Sequence, residues 1–375
     1  MKIENIAIIG NLANVGHKFA YFLNQVRVNS KLIIHENQLK YWKQFNPNLD
    51  PNSCNTLQII RNHKLAGKIT RKLSEIQILK KYDLIISVAL GGLWSLSLTK
   101  KPYVSYATGS DLRELAAGLG YKGLQVRQAR KVFQNANLVF HSPDTDHVKM
   151  LKELGLTKTI PWRQFVDTAF WKPSEKPFKR IQNEGISIFH PANLLWIPKF
   201  KGQSLKGNDL LFKGFRLFLD KGGIGKLYYL QRGQNIKETD VLIKNLNLQK
   251  HCKAIDGSLN PNQLKSKMEK IDIVVDQFSP YRGFGLISLE AMSMGKPVMV
   301  GFSDEMIKLA YSSTSQSPPI LQAFTPDEIA KQLQLAKESN YLGKIALASR
   351  RWIEKYHDPI KLAEWYLDNI RKYVD

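Results

Sequence analysis

Cysteine is nearly absent from this sequence, and acidic residues are scarce beside basic ones. Cys54 and Cys252 are the only cysteines, with no partner spacing, which excludes a disulfide framework and argues against a cysteine-built zinc site. Low-complexity stretches are missing, as is any repeat period beyond two successive strand-and-helix halves. The most apolar run, LIISVALGGLWSLSL from Leu84, is too short and too broken by glycine to span a bilayer. A secretory leader is not expected, because Glu4 interrupts MKIENIAII and no cleavage-site pattern follows. A cytoplasmic chain is the expectation.

What is present is enough for two domains: 375 residues, 43% of them hydrophobic, can bury two cores. The formal charge of +23 is far from neutral, and the excess is denser through Asp167, where 24 basic residues face 11 acidic ones. Such a chain seeks polyanions. No nucleic-acid motif stands out, nor basic residues interleaved with aromatics, so a specific nucleic-acid partner is not expected and an anionic membrane surface is the better candidate.

The first half opens with a buried strand, IENIAIIG, a turn GNLANVG, and a helix HKFAYFLNQV. Gly10 and Gly16 permit a close turn, but no acidic residue ends the next strand, KLIIH, to hold a ribose, so NAD is not the reading. The turn with Gly10, Asn11, Asn14 and Gly16 is read instead as lining a cleft. Strands TLQII, LIISVA, PYVSYA and NLVFHS follow with helices between them, which predicts a parallel sheet covered on both faces. RNHKLAGKITRKLSEIQILKK places Leu65, Ile69, Leu73 and Ile76 on one face amid Arg61, Lys64, Lys68, Arg71 and Lys72, a pattern shared by a solvated amphipathic helix and by one lying on anionic lipid. GYKGLQVRQARKVF could extend the same basic surface. In YATGSDLRELA, Ser110 and Asp111 open a helix, and Asp111 with Glu114 satisfies the capping-box pattern.

FVDTAFWKPSEKPFKR, with Pro173 and Pro177 in a basic context, reads as an exposed linker. The second half then begins with the strand ISIF and a loop carrying His190, as apt to be a satisfied loop histidine as a ligand. Lys206 and Gly207 precede an amphipathic helix that Asn208 or Asp209 could cap, and Arg232 stands at the carboxyl end of the strand KLYYLQRG where it could reach a phosphate. Residues 271 to 301 carry the strongest local signal: a buried strand, a glycine-bearing turn, a helix opening at about Phe284 with Leu286, Leu289 and Met292 as its apolar stripe, and a second strand from Pro297. Gly283 and Gly285 flank the helix start, where backbone N–H groups and the helix dipole favour an anion. Glu290 looks back along the helix toward the same mouth, where a carboxylate can accept two ribose hydroxyls.

The run GFGLISLEAMSMGKPVM resembles the donor-site signature of the retaining GT-B glycosyltransferases of family four, also called glycosyl transferases group 1. FVDTAF is similar to that family's passage out of its first domain, and LKGND to its Lys-Gly-x-Asp segment. The resemblance implies an α/β GT-B fold: two Rossmann-like domains facing an interdomain cleft, residues 1–175 for the acceptor and 176–357 for the donor, with the helix 358–375 packing back on the first. It implies a UDP- or GDP-linked sugar moved, with retention, to a lipid-linked or cell-surface glycan at the inner membrane face, with no metal required. Glu290 would hold ribose, the backbone of Gly283, Phe284, Gly285 and Leu286 the diphosphate, Lys206 the charge on the leaving group, and Asp111 an acceptor hydroxyl beside Ser110. Arg232 and His190 complete the expected donor site.

Two departures stand out. Arg282 occupies the place of the family's first glutamate, and Asn193 follows HPA where an arginine is usual before the lysine. An arginine at a helix N-terminus is disfavoured unless an anion lies beside it, so Arg282 is expected to hold the diphosphate or a carboxylate on the sugar. DQF ahead of the turn is similar to a branch of the family that also lacks the first glutamate. A nucleotide-sugar epimerase and a non-catalytic nucleotide- or glycan-binding GT-B protein fit the same features.

Overall fold

A computed structural model describes residues 3–60, 68–93, 95–173, 185–203, 205–279, 283–311, 316–338 and 340–374, without the side chains of residues 68, 69 and 71. Arg61, Lys64, Leu65, Pro177 and Arg282 therefore lie outside the described residues, as do the side chains of Lys68, Ile69 and Arg71. The chain divides into two compact units, one comprising Met1–Phe165, Phe200–Gly202 and Pro359–Asp375, the other Val166–Lys199 and Gln203–Asp358.

The first unit is built on seven parallel strands among the described residues: β1 (Asn5–Ile9), β2 (Asn29–His35), β3 (Leu57–Ile60), β4 (Leu84–Val88), β5 (Tyr103–Tyr106), β6 (Leu138–His141) and β7 (Thr159–Pro161), in the order β3-β2-β1-β4-β5-β6-β7. Each pairs in parallel with its neighbours, from Leu32 opposite Leu57 at one side to Val139 opposite Thr159 at the other. Every residue of LIISV in β4 is buried, as an unbroken apolar run in a sheet covered on both faces requires. The covering helices are α1 (Val15–Gln25), α2 (Leu39–Phe45), α3 (Lys68–Leu79), α4 (Ser95–Thr99), α5 (Leu124–Gln134) and α6 (Thr145–Glu153). In α3 the buried face centres on Glu75, Ile76 and Leu79, while Leu73, expected in the stripe, is 54% exposed at its edge.

The second unit repeats the plan with six parallel strands among the described residues: β8 (Ile186–His190), β9 (Gly225–Gln231), β10 (Cys252–Asp256), β11 (Ile273–Val275), β12 (Val298–Val300) and β13 (Leu321–Gln322), ordered β10-β9-β8-β11-β12-β13. Its helices are α7 (Asn208–Asp220), α8 (Ile236–Asn245), α9 (Pro261–Glu269), α10 (Leu286–Ser293), α11 (Asp304–Tyr311), α12 (Pro326–Leu335) and α13 (Tyr341–Tyr356). One core, containing Phe212, Phe215 and Phe218 of α7, fills one face of this sheet, and a second, containing Leu289 and Met292 of α10 with Trp352 of α13, fills the other.

The last helix, α14 (Pro359–Val374), belongs to the first unit. Its Tyr366 is fully buried, with ring centroids 4.8 Å from both Phe19 and Phe140 and 5.2 Å from Phe165. Among the described residues no helix is long and apolar enough to cross a membrane.

Candidate functional site

In open parallel sheets, ligands gather at the carboxyl ends of the strands, and β8 and β11 lie at the centre of the second sheet. β8 ends in His190, which is wholly buried between two partners. Its Nε2 accepts from the Asn208 amide at 2.7 Å, leaving Nδ1 to donate to the Val275 carbonyl at 3.0 Å. Burial pushes its pKa down to about 4, against the opposing pull of that carbonyl. Both ring nitrogens are engaged inside the protein, so His190 does not present itself to a ligand as the donor-site expectation had it. It ties β8 to β11 and α7.

Asn208 is equally occupied. Its Oδ1 accepts from the Leu195 amide at 2.7 Å, and its Nδ2 also donates to the Asn193 carbonyl at 3.1 Å. The helix cap therefore differs from the sequence expectation: Gly207, in a left-handed conformation, stands at the N-cap of α7, while Asn208 fastens the incoming loop and Asp209 reaches Lys213 at 2.8 Å.

That fastening places Lys206. Its backbone N–H donates to the Leu195 carbonyl at 2.7 Å and its carbonyl accepts from the Phe278 amide at 2.9 Å, a short strand-like pairing that sets it beside the end of β11. Its ammonium donates to Gln277 Oε1 at 3.1 Å and lies 4.0 Å from Asp276 Oδ1. Gln277 reaches onward, donating to the Gly283 carbonyl at 2.8 Å. Asp276, 1% exposed, accepts from the Gly285 amide at 2.7 Å and from the Ser288 hydroxyl at 2.8 Å through the same oxygen, Oδ2. A cation, a buried carboxylate and the open end of α10 thus share one place.

Helix α10 begins at Leu286 rather than at Phe284, with Gly285 as N-cap. Phe284 precedes the helix, and its ring packs in the core, 4.6 Å from Phe302 and 6.2 Å from Trp352 by centroid. The amides of Leu286 and Ile287, in the first turn, have no intrahelical acceptor and remain suited to an anion. Gly283 and Gly285 are half-buried beside them. Glu290 is half-buried four residues after Leu286, one turn further along the same face of α10. Arg232 follows β9: it donates to the Pro191 carbonyl at 2.9 Å and approaches Ser258 Oγ at 3.4 Å, while its buried Nε has no hydrogen-bond partner. Desolvation lowers its pKa. Arg282, the expected phosphate or sugar contact, lies outside the described residues.

In the first unit the predicted cleft residues form two loops at strand carboxyl ends. Gly10 has φ +91°, and a Cβ there would stand 2.1 Å from the Val88 carbonyl oxygen; one on Gly16 would be equally close to the Gly10 oxygen. Asn11 accepts from the His17 amide at 2.9 Å and donates to Asn14 Oδ1 at 3.2 Å, and the Asn14 and Asn46 amides exchange bonds at 3.2 and 3.0 Å. These asparagines brace the loop. Asp111 does not form the expected capping box. Its carboxylate turns back to accept from the amides of Thr108, Gly109 and Leu112 at 3.0, 2.8 and 3.0 Å, because the segment Asp111–Ala116 winds as a π-helix whose N-cap, exposed Ser110, makes no side-chain cap bond. The same turn is held by His147, whose Nε2 donates to the Gly109 carbonyl at 3.0 Å, and by an Arg113–Asp144 ion pair at 2.7 Å. Asp111 is thus bound up in shaping the turn.

Sequence reading passed over Asp276, Gln277 and Ser288. DQF was visible, but nothing in the sequence says that an aspartate nine residues before Gly285 folds onto its amide. Among the described residues no group of three or more His, Cys, Asp or Glu side chains is gathered as metal ligands would be.

No protein-family model and no curated protein matches the chain by sequence. Solved structures do match. The Anabaena protein HepE in complex with UDP superposes with a TM-score of 0.68 at 14% identity, over 99% of this chain and 100% of that one. Sucrose-phosphate synthase from Thermosynechococcus elongatus gives 0.66 at 13%, covering 98% of each. A glycosyltransferase from Rickettsia africae gives 0.62 at 12%, covering 100% and 99%. The fold is GT-B. Within a GT-B chain, the Lys206, Asp276 and α10 constellation occupies the carboxyl edge of the second sheet, and the Gly10 and Asp111 loops that of the first.

Proposed function

We propose that the chain transfers a sugar from a nucleotide-sugar donor to a glycan or lipid-linked acceptor, with its second unit holding the donor. The observation that carries this is three features about one strand end: the Lys206 ammonium, the first turn of α10, which Asp276 links to it, and Glu290 one turn along the same helix. A diphosphate matches the first two and a ribose the third. HepE was also solved with UDP and glucose and with UDP-glucose, which supports a uridine nucleotide as the first donor to test.

In this reading the bond between the anomeric carbon and the donor phosphate breaks, an acceptor hydroxyl oxygen joins that carbon, and the hydroxyl proton is lost to the departing phosphate or to solvent. Lys206 and the α10 amides stabilise charge gathering on the diphosphate, so no metal ion is needed for that task. Asp111 contributes by holding the Gly109–Ser110 turn against which the acceptor rests. The anomeric configuration is retained. Exposed Leu119, Tyr121 and Leu124 among basic residues of the first unit support docking on an anionic membrane surface at the inner face.

The test is a thermal-shift and donor-hydrolysis screen of UDP, GDP and their sugar conjugates on the wild type and on Glu290→Ala. Stabilisation by one nucleotide, lost in Glu290→Ala, is the expected result. Release of free UDP with an isomerised sugar and no acceptor product would favour an epimerase. Absence of any shift at millimolar nucleotide would overturn the donor site.

A further inference from the structure

The anion seat at α10 contains a negative charge of its own. Asp276 divides its two oxygens between two tasks. Oδ2 takes both cap bonds, from the Gly285 amide and the Ser288 hydroxyl, whereas Oδ1 faces the Lys206 ammonium at 4.0 Å. A neutral asparagine could perform the first task with its carbonyl oxygen. Only a carboxylate puts charge on the second.

Lys206 does not need that charge to stay in place. Its backbone is pinned to Leu195 and Phe278, and its ammonium is tethered to Gln277 at 3.1 Å. What Asp276 adds is a buried anion, 1% exposed and poorly screened by solvent, sharing the lysine with whatever anion enters. It also sits over the N-terminus of α10, where it satisfies part of the positive end of the helix dipole before any ligand arrives.

We infer that Asp276 is a positioning residue that competes with the nucleoside diphosphate for Lys206 and the α10 N-terminus, weakening the hold on the spent donor so that it leaves. This rests on the reading of the seat as the donor diphosphate site. It gives the residue a sign opposite to that of an ordinary structural carboxylate: neutralising it tightens nucleotide binding. Product release limits turnover in many enzymes, so a tighter product complex also slows the cycle at saturating substrate.

The experiment measures UDP and GDP affinity by calorimetry, and nucleotide dissociation by stopped flow, for the wild type, Lys206→Met, Asp276→Asn and the double variant. Binding by the wild type that Lys206→Met weakens upholds the donor site itself; no binding by the wild type overturns both that reading and this inference. Given binding, Asp276→Asn is expected to tighten it about tenfold, with slower dissociation, and the gain is expected to vanish in the Lys206→Met background. Unchanged or weaker binding by a folded Asp276→Asn protein overturns the inference. Asp276→Ser, which also removes the charge, replaces it if the asparagine variant does not fold. Failure of both to fold makes Asp276 a structural carboxylate and overturns the inference as well.

Discussion

Asn208 donates an amide hydrogen to Nε2 of His190 at 2.7 Å, and this fixes His190 as a neutral ring with its proton on Nδ1. Because burial holds the folded-state pKa near 4, below the ordinary 6.5, the unfolded chain binds a proton first as the pH falls. The stability this ring supports is complete above about pH 6.5 and is lost progressively toward pH 4, at most about 3 kcal/mol. His17 and His141, both lowered to about 4 by burial, add the same dependence to the first unit. Thermal melts between pH 7 and 4.5 should show a steep fall below pH 6.5. A flat profile would mean that these rings are solvated.

Lys206→Ala removes the cation from the seat while leaving the backbone bonds to Leu195 and Phe278. On the proposed function, donor turnover should fall about a hundredfold or more in kcat/KM, as deleting one group that stabilises leaving-group charge would cost. Its melting temperature should move little, since the side chain is partly exposed. Kinetics paired with a melt separates these outcomes.

Gly285→Ala tests the seat from the other side. A Cβ there would lie 2.5 Å from Asp276 Oδ2, so the carboxylate must move and both cap bonds loosen. A stability loss of about 1–3 kcal/mol is expected, read by denaturant titration.

Much of the fold was legible because it is written in local patterns. The unbroken apolar run of β4, the alternation of strand and helix, and the glycine-flanked start of α10 are short-range features, and each formed within two residues of where the sequence pointed. The functional roles of polar residues were harder to see because they depend on partners far along the chain. His190 is satisfied by Val275, 85 residues away, and no periodicity encodes that pairing. Asp111 was read from its capping-box spacing, but a π-helical turn changed which amides its carboxylate meets. The edge strand β7, three residues with a proline, carried too little signal to notice.

Tyr366→Ala should destabilise the first unit by about 3–5 kcal/mol, since it empties a fully buried aromatic site among Phe19, Phe140 and Phe165. It also deletes a hydroxyl bonded to the Arg163 carbonyl. Denaturant unfolding followed by tryptophan fluorescence should show an earlier first transition. A single transition displaced as a whole would mean that the two units unfold together.

The attachment of α14 to the first unit bears on how the chain is made. During synthesis the first sheet emerges from the ribosome before any of the second, yet the helix that covers Phe19 and Phe140 follows β8 to β13 of the second unit. The first unit is therefore closed only after the second has been made, and its bare aromatic face awaits α14 while the second unit is already able to fold.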